Sequence, residues 1–313
     1  MVGEGPLYHP DDGRVYWVDI VPGRLYAYDP DDDDHRLLYE SDAGRIGGFT
    51  IQADGALLLF GESGAVHRYD PLDSPGVDGD AGSDDEGDEG TRNDGAGGDD
   101  PAVETVIEPA PDEFHERFND VIADPEGRVF AGLMPDPDAG LEGALYRLDR
   151  DGTFTRVVDG VDLPNGMGFT PDRDGVYFTD TCELDPDCPG YVYRYDYDRE
   201  TGALGDREVV VEAADREGFP DGMTVDAEGY VWSAYWGGNE LVRYAPDGEA
   251  VETVQFTPRK VSSVTFGGPD YRDAYVTTAG GEDRTAEGEG AGSLFRVDLG
   301  VAGVPEFRSR IEV

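Results

Sequence analysis

Apolar and polar residues alternate along this chain in short runs, and the runs recur. Val-Tyr-Trp-Val-Asp (15–19), Val-Tyr-Phe-Thr-Asp (176–180) and Val-Trp-Ser-Ala-Tyr (231–235) each lie just after an acid–Gly dipeptide: Asp12-Gly13, Asp174-Gly175 and Glu228-Gly229. Glu126-Gly127 opens a fourth such run. Alternation over four to eight residues reads as half-buried strand, and an acid–Gly pair between two such runs is a hairpin signal. Segments 47–60 and 262–277 fit the same phrase. A second arm follows each copy, at 24–29, 65–70, 144–149, 191–196, 240–245 and 293–298, and the Asp-rich ends of these arms turn into a fourth strand. No segment sustains a 3.6-residue apolar period. Six copies of a four-strand phrase, about 40–55 residues apart, predict an all-β six-bladed β-propeller with four-stranded antiparallel blades.

Such blades bury their faces only against their neighbours, so residues 1–313 read as a single domain. Ring closure needs a strand shared between the first and last blades. Either the segment 307–313 supplies it or the chain starts upstream of Met1.

Four polar residues sit at one phase of the repeat: Glu4 in Gly-Glu-Gly-Pro, Asn119 in Arg-Phe-Asn-Asp, Asn165 in Pro-Asn-Gly-Met and Asp221 in Pro-Asp-Gly-Met. Asp or Asn before Gly often does no more than bond its own backbone in a turn. Equivalent positions around an axis converge, however, and two carboxylates with two amides suit a hard divalent cation. Gly47-Gly48 and Ser262-Ser263 occupy the same phase in the other two blades and leave room there for a ligand beside the metal.

Charge narrows the range of partners. Acids outnumber bases 70 to 24, the formal net charge is −46, and Lys260 is the one lysine. Acids lie in nearly every turn rather than in one patch, which reads as a halophilic protein kept hydrated in concentrated salt. Nucleic acid and anionic membranes demand a basic footprint and are not expected partners. Residues 73–101 carry almost no apolar side chains and read as a disordered acidic insertion. Cys182 and Cys188 lack the further Cys or His of a zinc set and are expected as free thiols, or at most a labile disulfide. No leader or spanning run is evident, so a cytoplasmic monomer or weak homo-oligomer is expected. No Gly-x-Ser-x-Gly elbow occurs, and the four histidines show no paired spacing.

At these motifs the chain resembles the gluconolactonase/regucalcin (senescence marker protein) family of six-bladed propellers. The resemblance runs from Glu4 to about Gly303 and is carried by several stretches. They are Gly-Glu-Gly-Pro (3–6) with Tyr-Trp-Val-Asp (16–19), Arg-Phe-Asn-Asp (117–120), Asn-Gly-Met (165–167), Pro-Asp-Gly-Met (220–223) and Ser-Val-Thr-Phe-Gly-Gly (263–268). It implies that Glu4, Asn165 and Asp221 bind one divalent cation (calcium, zinc, manganese or magnesium). Arg117 and Asn119 would then face a sugar lactone, and Asp221 would be the base for its hydrolysis to the aldonic acid. An arylesterase or organophosphate hydrolase, or a non-enzymatic calcium-binding protein, are the alternatives. Two departures from the family pattern, Val121-Ile122 in place of Gly-Lys and Gly-Leu-Met-Pro-Asp-Pro at 132–137, are expected on the substrate side.

Overall fold

The computed structural model describes residues 1–71, 103–110, 112–182, 184–185, 187–281 and 283–313, and the acidic insertion expected at 73–101 lies outside the described residues. Strands dominate, with a single 3₁₀ turn (Glu62–Gly64) among the described residues.

Four sheets are four-stranded and antiparallel. The first contains β1 (Gly3–His9), β2 (Arg14–Asp19), β3 (Arg24–Asp29) and β4 (Asp34–Glu40); the second β5 (Ile46–Ile51), β6 (Leu57–Gly61), β7 (Val66–Tyr69) and β8 (Val103–Ile107). In the third are β9 (Phe118–Ala123), β10 (Val129–Leu133), β11 (Gly143–Leu148) and β12 (Phe154–Val161), and in the fourth β13 (Pro164–Phe169), β14 (Gly175–Asp180), β15 (Tyr191–Asp198) and β16 (Ala203–Glu212). A larger sheet contains β17 (Phe219–Val225), β18 (Val231–Trp236), β19 (Glu240–Tyr244) and β20 (Ala250–Gln255), together with β21 (Lys260–Gly267), β22 (Asp273–Ala279) and β23 (Phe295–Asp298). One ladder pair, Trp236 with Lys260, joins its two halves. The fold is all-β and propeller-like, built of four-stranded antiparallel blades.

Burial is lowest at the fourth strand of the sheets. Every residue of β5 and β13 is buried, whereas most of β16 and β20 is exposed. The first strand of each repeat is innermost, as its contacts with the first strands on either side show. These strands neighbour one another in closed order: β1 with β5, β5 with β9, β9 with β13, β13 with β17, β17 with β21, and β21 with β1. The apolar core lies between adjacent sheets. One cluster joins Tyr16, Val18 and Leu25 of the first sheet to Phe49, Leu57 and Tyr69 of the second.

The acid–Gly dipeptides form the expected hairpins with one adjustment. Gly13, Gly127 and Gly229 take the left-handed backbone the turn needs, at φ 75°, 91° and 86°. In the fourth repeat Arg173 takes it instead (φ 61°), and Gly175 already belongs to β14. An added Cβ at Gly175 would meet the end of the Arg194 side chain at 2.7 Å.

The segment after β23 does not supply a closing strand. Among the described residues β23 pairs only with β22. Residues 303–312 instead form a strap across several sheets. Gly303 bridges Asp226, and the Phe307 ring meets Phe169 edge-on at 5.7 Å beneath the Arg173 guanidinium. Ser309 makes an isolated parallel bridge to Gln52, the Arg310 N–H donates to Gly127 O at 2.7 Å, and the Glu312 N–H donates to Arg150 O. No helix among the described residues is long and apolar enough to cross a membrane.

Candidate functional site

A register break in the innermost strands explains the common phase of the four polar residues. In β9 the pairing jumps between Val121 and Phe118, in β13 between Pro164 and Met167, and in β17 between Pro220 and Met223. Asn119, Asn165 and Asp221 each sit inside the break. In β1 the break runs from Glu4 to Leu7 and carries Gly5 at φ 54°. Extra residues of this kind bend a strand and re-aim a side chain that the pleat would have turned into the sheet-to-sheet core. All four are buried: Glu4 5% exposed, Asn119 6%, Asn165 4% and Asp221 4%.

A hydrogen-bond relay of fixed direction links the amides. Arg117 Nη1 donates to Asn119 Oδ1 at 2.7 Å and to Phe118 O at 2.9 Å. The Asn119 amide then donates to Pro164 O at 2.8 Å and to Asn165 Oδ1. Asn165 Nδ2 donates to Thr181 Oγ1, and Thr181 passes its own hydrogen to Pro220 O at 2.8 Å. These amides hold each other across neighbouring innermost strands and are not self-bonded turns.

The Glu4 carboxyl has more negative than positive charge near it. Burial, then the charges of Asp221 and Asp120, hold the Glu4 carboxyl well above its usual range, with Arg117 opposing only in part. Burial likewise pushes Asp120 up to about 6. Arg117 falls to about 10 because burial and Arg45 disfavour its charge, yet it stays protonated at neutral pH. Two acidic oxygens, an amide oxygen and excess negative charge make a donor set of the kind a hard divalent cation takes. Oxygen ligands of both types are present, so the residues fit such an ion.

Other groups were not anticipated. Asp120 follows Asn119 in the same register break. With Ile122, Ser263 and Glu306 it lines an axial cavity of ≈ 50 Å³ below the four residues. Thr181 had no motif to mark it. Glu306, from the strap, also lines this cavity and is raised to about 7 by burial, with a hydrogen bond to Thr224 opposing.

Two expectations need correction. Gly47 does not open room for a ligand: a Cβ there would lie 1.9 Å from Phe118 O, so its smallness lets β5 pack against β9. Val121 and Ile122 line the axial cavity. Cys182 and Cys188 are not free thiols but form a disulfide. That bond also removes Cys182 Sγ from the one cluster of metal-ligating atom types found among the described residues, Asp162, Asp180 and Cys182. Asp180 there already accepts the Asp162 and Leu163 N–H groups.

A family model described as the SMP-30/Gluconolactonase/LRE-like region matches residues 2–280. The pentonolactonase XacC of Haloferax volcanii is 46% identical over 319 residues, spanning 100% of this chain and 96% of that protein. The 6-deoxy-6-sulfogluconolactonase of Pseudomonas putida is 31% identical over 312 residues, spanning 98% and 94%. Among solved structures, a calcium-binding protein, regucalcin, from Agrobacterium tumefaciens strain C58 superposes with a TM-score of 0.77 at 22% identity, over 100% of this chain and 94% of that one.

Proposed function

The chain belongs to the SMP-30/gluconolactonase/LRE-like family, and from that we propose that it hydrolyses a sugar lactone to the open aldonic acid, using one divalent cation held by Glu4, Asn165 and Asp221. The observation that carries the proposal is the burial of these oxygen donors, with the charges of Asp221 and Asp120 at Glu4 only partly offset by Arg117. The ring of innermost strands supports counting the large sheet as two blades, which makes six blades in one domain.

A bound divalent cation supplies Lewis acidity, polarising the lactone carbonyl and acidifying a water molecule. The chain's own residues do the rest. Asp221 accepts a proton as water oxygen bonds to the carbonyl carbon, and it returns a proton to the ring oxygen as the ester C–O bond breaks. Arg117 has its Nη1 donors committed to Phe118 O and Asn119, which leaves Nε and Nη2 to hold a sugar hydroxyl or the emerging carboxylate. Asn119, oriented by Arg117, borders the same mouth. The ion in use is calcium, zinc, manganese or magnesium, all of which accept oxygen ligands.

A pH-drop assay across pentono- and hexonolactones in molar KCl, with and without chelator, tests the proposal. The likeness to a pentonolactonase makes five-carbon lactones the first substrates to try. Turnover lost to chelator and restored by added cation is the expected result. Cation binding with no lactone turnover would place the chain with non-enzymatic calcium binders, and faster turnover of aryl esters would favour an arylesterase.

A further inference from the structure

Resting on the reading that Asn165 gives an oxygen to the cation, we propose that Thr181 is a positioning residue that decides which end of the Asn165 amide faces the site. The two ends of a carboxamide are nearly the same size, so only hydrogen bonding distinguishes them. Here both ends of the relay have fixed polarity. Arg117 can only donate, and the Pro220 carbonyl can only accept. Thr181 has one hydroxyl hydrogen and commits it to Pro220 O, so toward Asn165 it can only accept. The NH₂ end of Asn165 must then point at Thr181, and Oδ1 points away from it, where it also accepts from Asn119. Reversing the amide would aim two N–H hydrogens at a cation and set Oδ1 against an oxygen with no hydrogen left to give.

Thr181 is held for this task. It is 2% exposed, follows β14 directly, and its N–H donates to Leu163 O at 3.0 Å. The next residue, Cys182, has φ 59° and is tied by the disulfide, which holds the chain where it leaves the strand. Neither a substrate nor a cation has to touch the hydroxyl. Groups that orient a metal ligand from behind typically matter by about 10–100-fold in affinity.

The test is Thr181→Val, which keeps shape and removes the hydroxyl, beside Thr181→Ser, which keeps the hydroxyl. Manganese affinity of the metal-stripped protein is measured by calorimetry in molar KCl, with lactone kinetics at low and saturating manganese. Thr181→Val should bind manganese about 10–100-fold more weakly, regain kcat at saturating ion and keep its KM. Thr181→Ser should match wild type. In an Asn165→Asp background, where a symmetric carboxylate has no end to choose, Thr181→Val should cost nothing further. If Thr181→Val does not fold, Thr181→Ala carries the same prediction, since it removes the hydroxyl without placing a methyl against Pro220 O. Wild-type manganese affinity in the hydroxyl-less variant overturns the role of Thr181, as does an equal loss in the Asn165→Asp background. Glu4→Gln separates the two readings. If it loses manganese while Thr181→Val does not, the site stands and the positioning role falls. If neither loses manganese, the site reading has failed.

Discussion

Glu306→Gln probes the strap and the axial cavity together. The Glu306 carboxyl faces the cavity that Asp120 also lines, and burial raises it from 4.5 to about 7 against a hydrogen bond with Thr224. The unfolded chain releases this proton near 4.5, whereas the folded protein holds it to about 7. Between those values the native state binds more protons, so Glu306 makes stability fall as pH rises. Each tenfold in acidity is worth about 1.4 kcal/mol, which bounds the effect at roughly 3 kcal/mol. Glu306 is only half-buried, so solvent screening reduces this to about 1–2 kcal/mol. Glutamine keeps the size and a hydrogen-bonding group for Thr224 but cannot ionise. Urea unfolding in constant molar KCl, followed by the fluorescence of Trp17 and Trp232 in their strands, should give similar stabilities for the two proteins at pH 4.5. At pH 8 the variant should be the more stable by about 1–2 kcal/mol. Parallel curves at both pH values would refute the reasoning, because they would mean the carboxyl ionises as freely folded as unfolded.

Asp221→Asn keeps an oxygen but loses the charge and the proton acceptor. Its turnover should fall by roughly 100-fold or more, with weaker cation binding by calorimetry; full activity with metal bound would pass the base role elsewhere. Arg117→Ala should mainly raise KM for the lactone, while manganese affinity stays near wild type because Arg117 is not one of the proposed ligands. Deleting residues 75–99 should leave melting temperature and turnover nearly unchanged, since Tyr69 and Val103, which flank the segment, are already ladder partners. Melting temperature should climb from dilute buffer to molar KCl as the screening length shrinks from about 30 Å at 0.01 M to about 3 Å at 1 M. An unchanged value across that range would show that repulsion among the 70 acids does not govern folding.

The repeat was legible because its signals are local. Alternation, turn glycines and the shared phase of Asn119, Asn165 and Asp221 all fall within single hairpins. Their common register break turns equal phase into convergence, although the break itself could not be read from residue types. What escaped depends on contacts between repeats. Thr181 looks like any strand-end threonine until Pro220 arrives from the next repeat to take its hydrogen and leave it an acceptor for Asn165 of its own hairpin. Gly47 looked like empty space because the Phe118 carbonyl that fills it comes from the next sheet. The strap has no period at all, since its contacts pass irregularly among several repeats. Glu306, carried on it, therefore had no pattern to announce it.

That strap also imposes an order on biogenesis. Synthesis runs from the N-terminus, and domains can begin folding while the chain is still emerging. All the strands of the ring precede residues 303–312, so every hairpin can form before the strap exists. Ser309 nevertheless hydrogen-bonds Thr50, and Ile311 meets Gln52, across 259 residues of sequence. Such distant closures are slow to form compared with hairpins. A chain still being made can hold all its blades with the Glu306 end of the axis uncovered, and the residues translated after the last strand are the ones that fasten it.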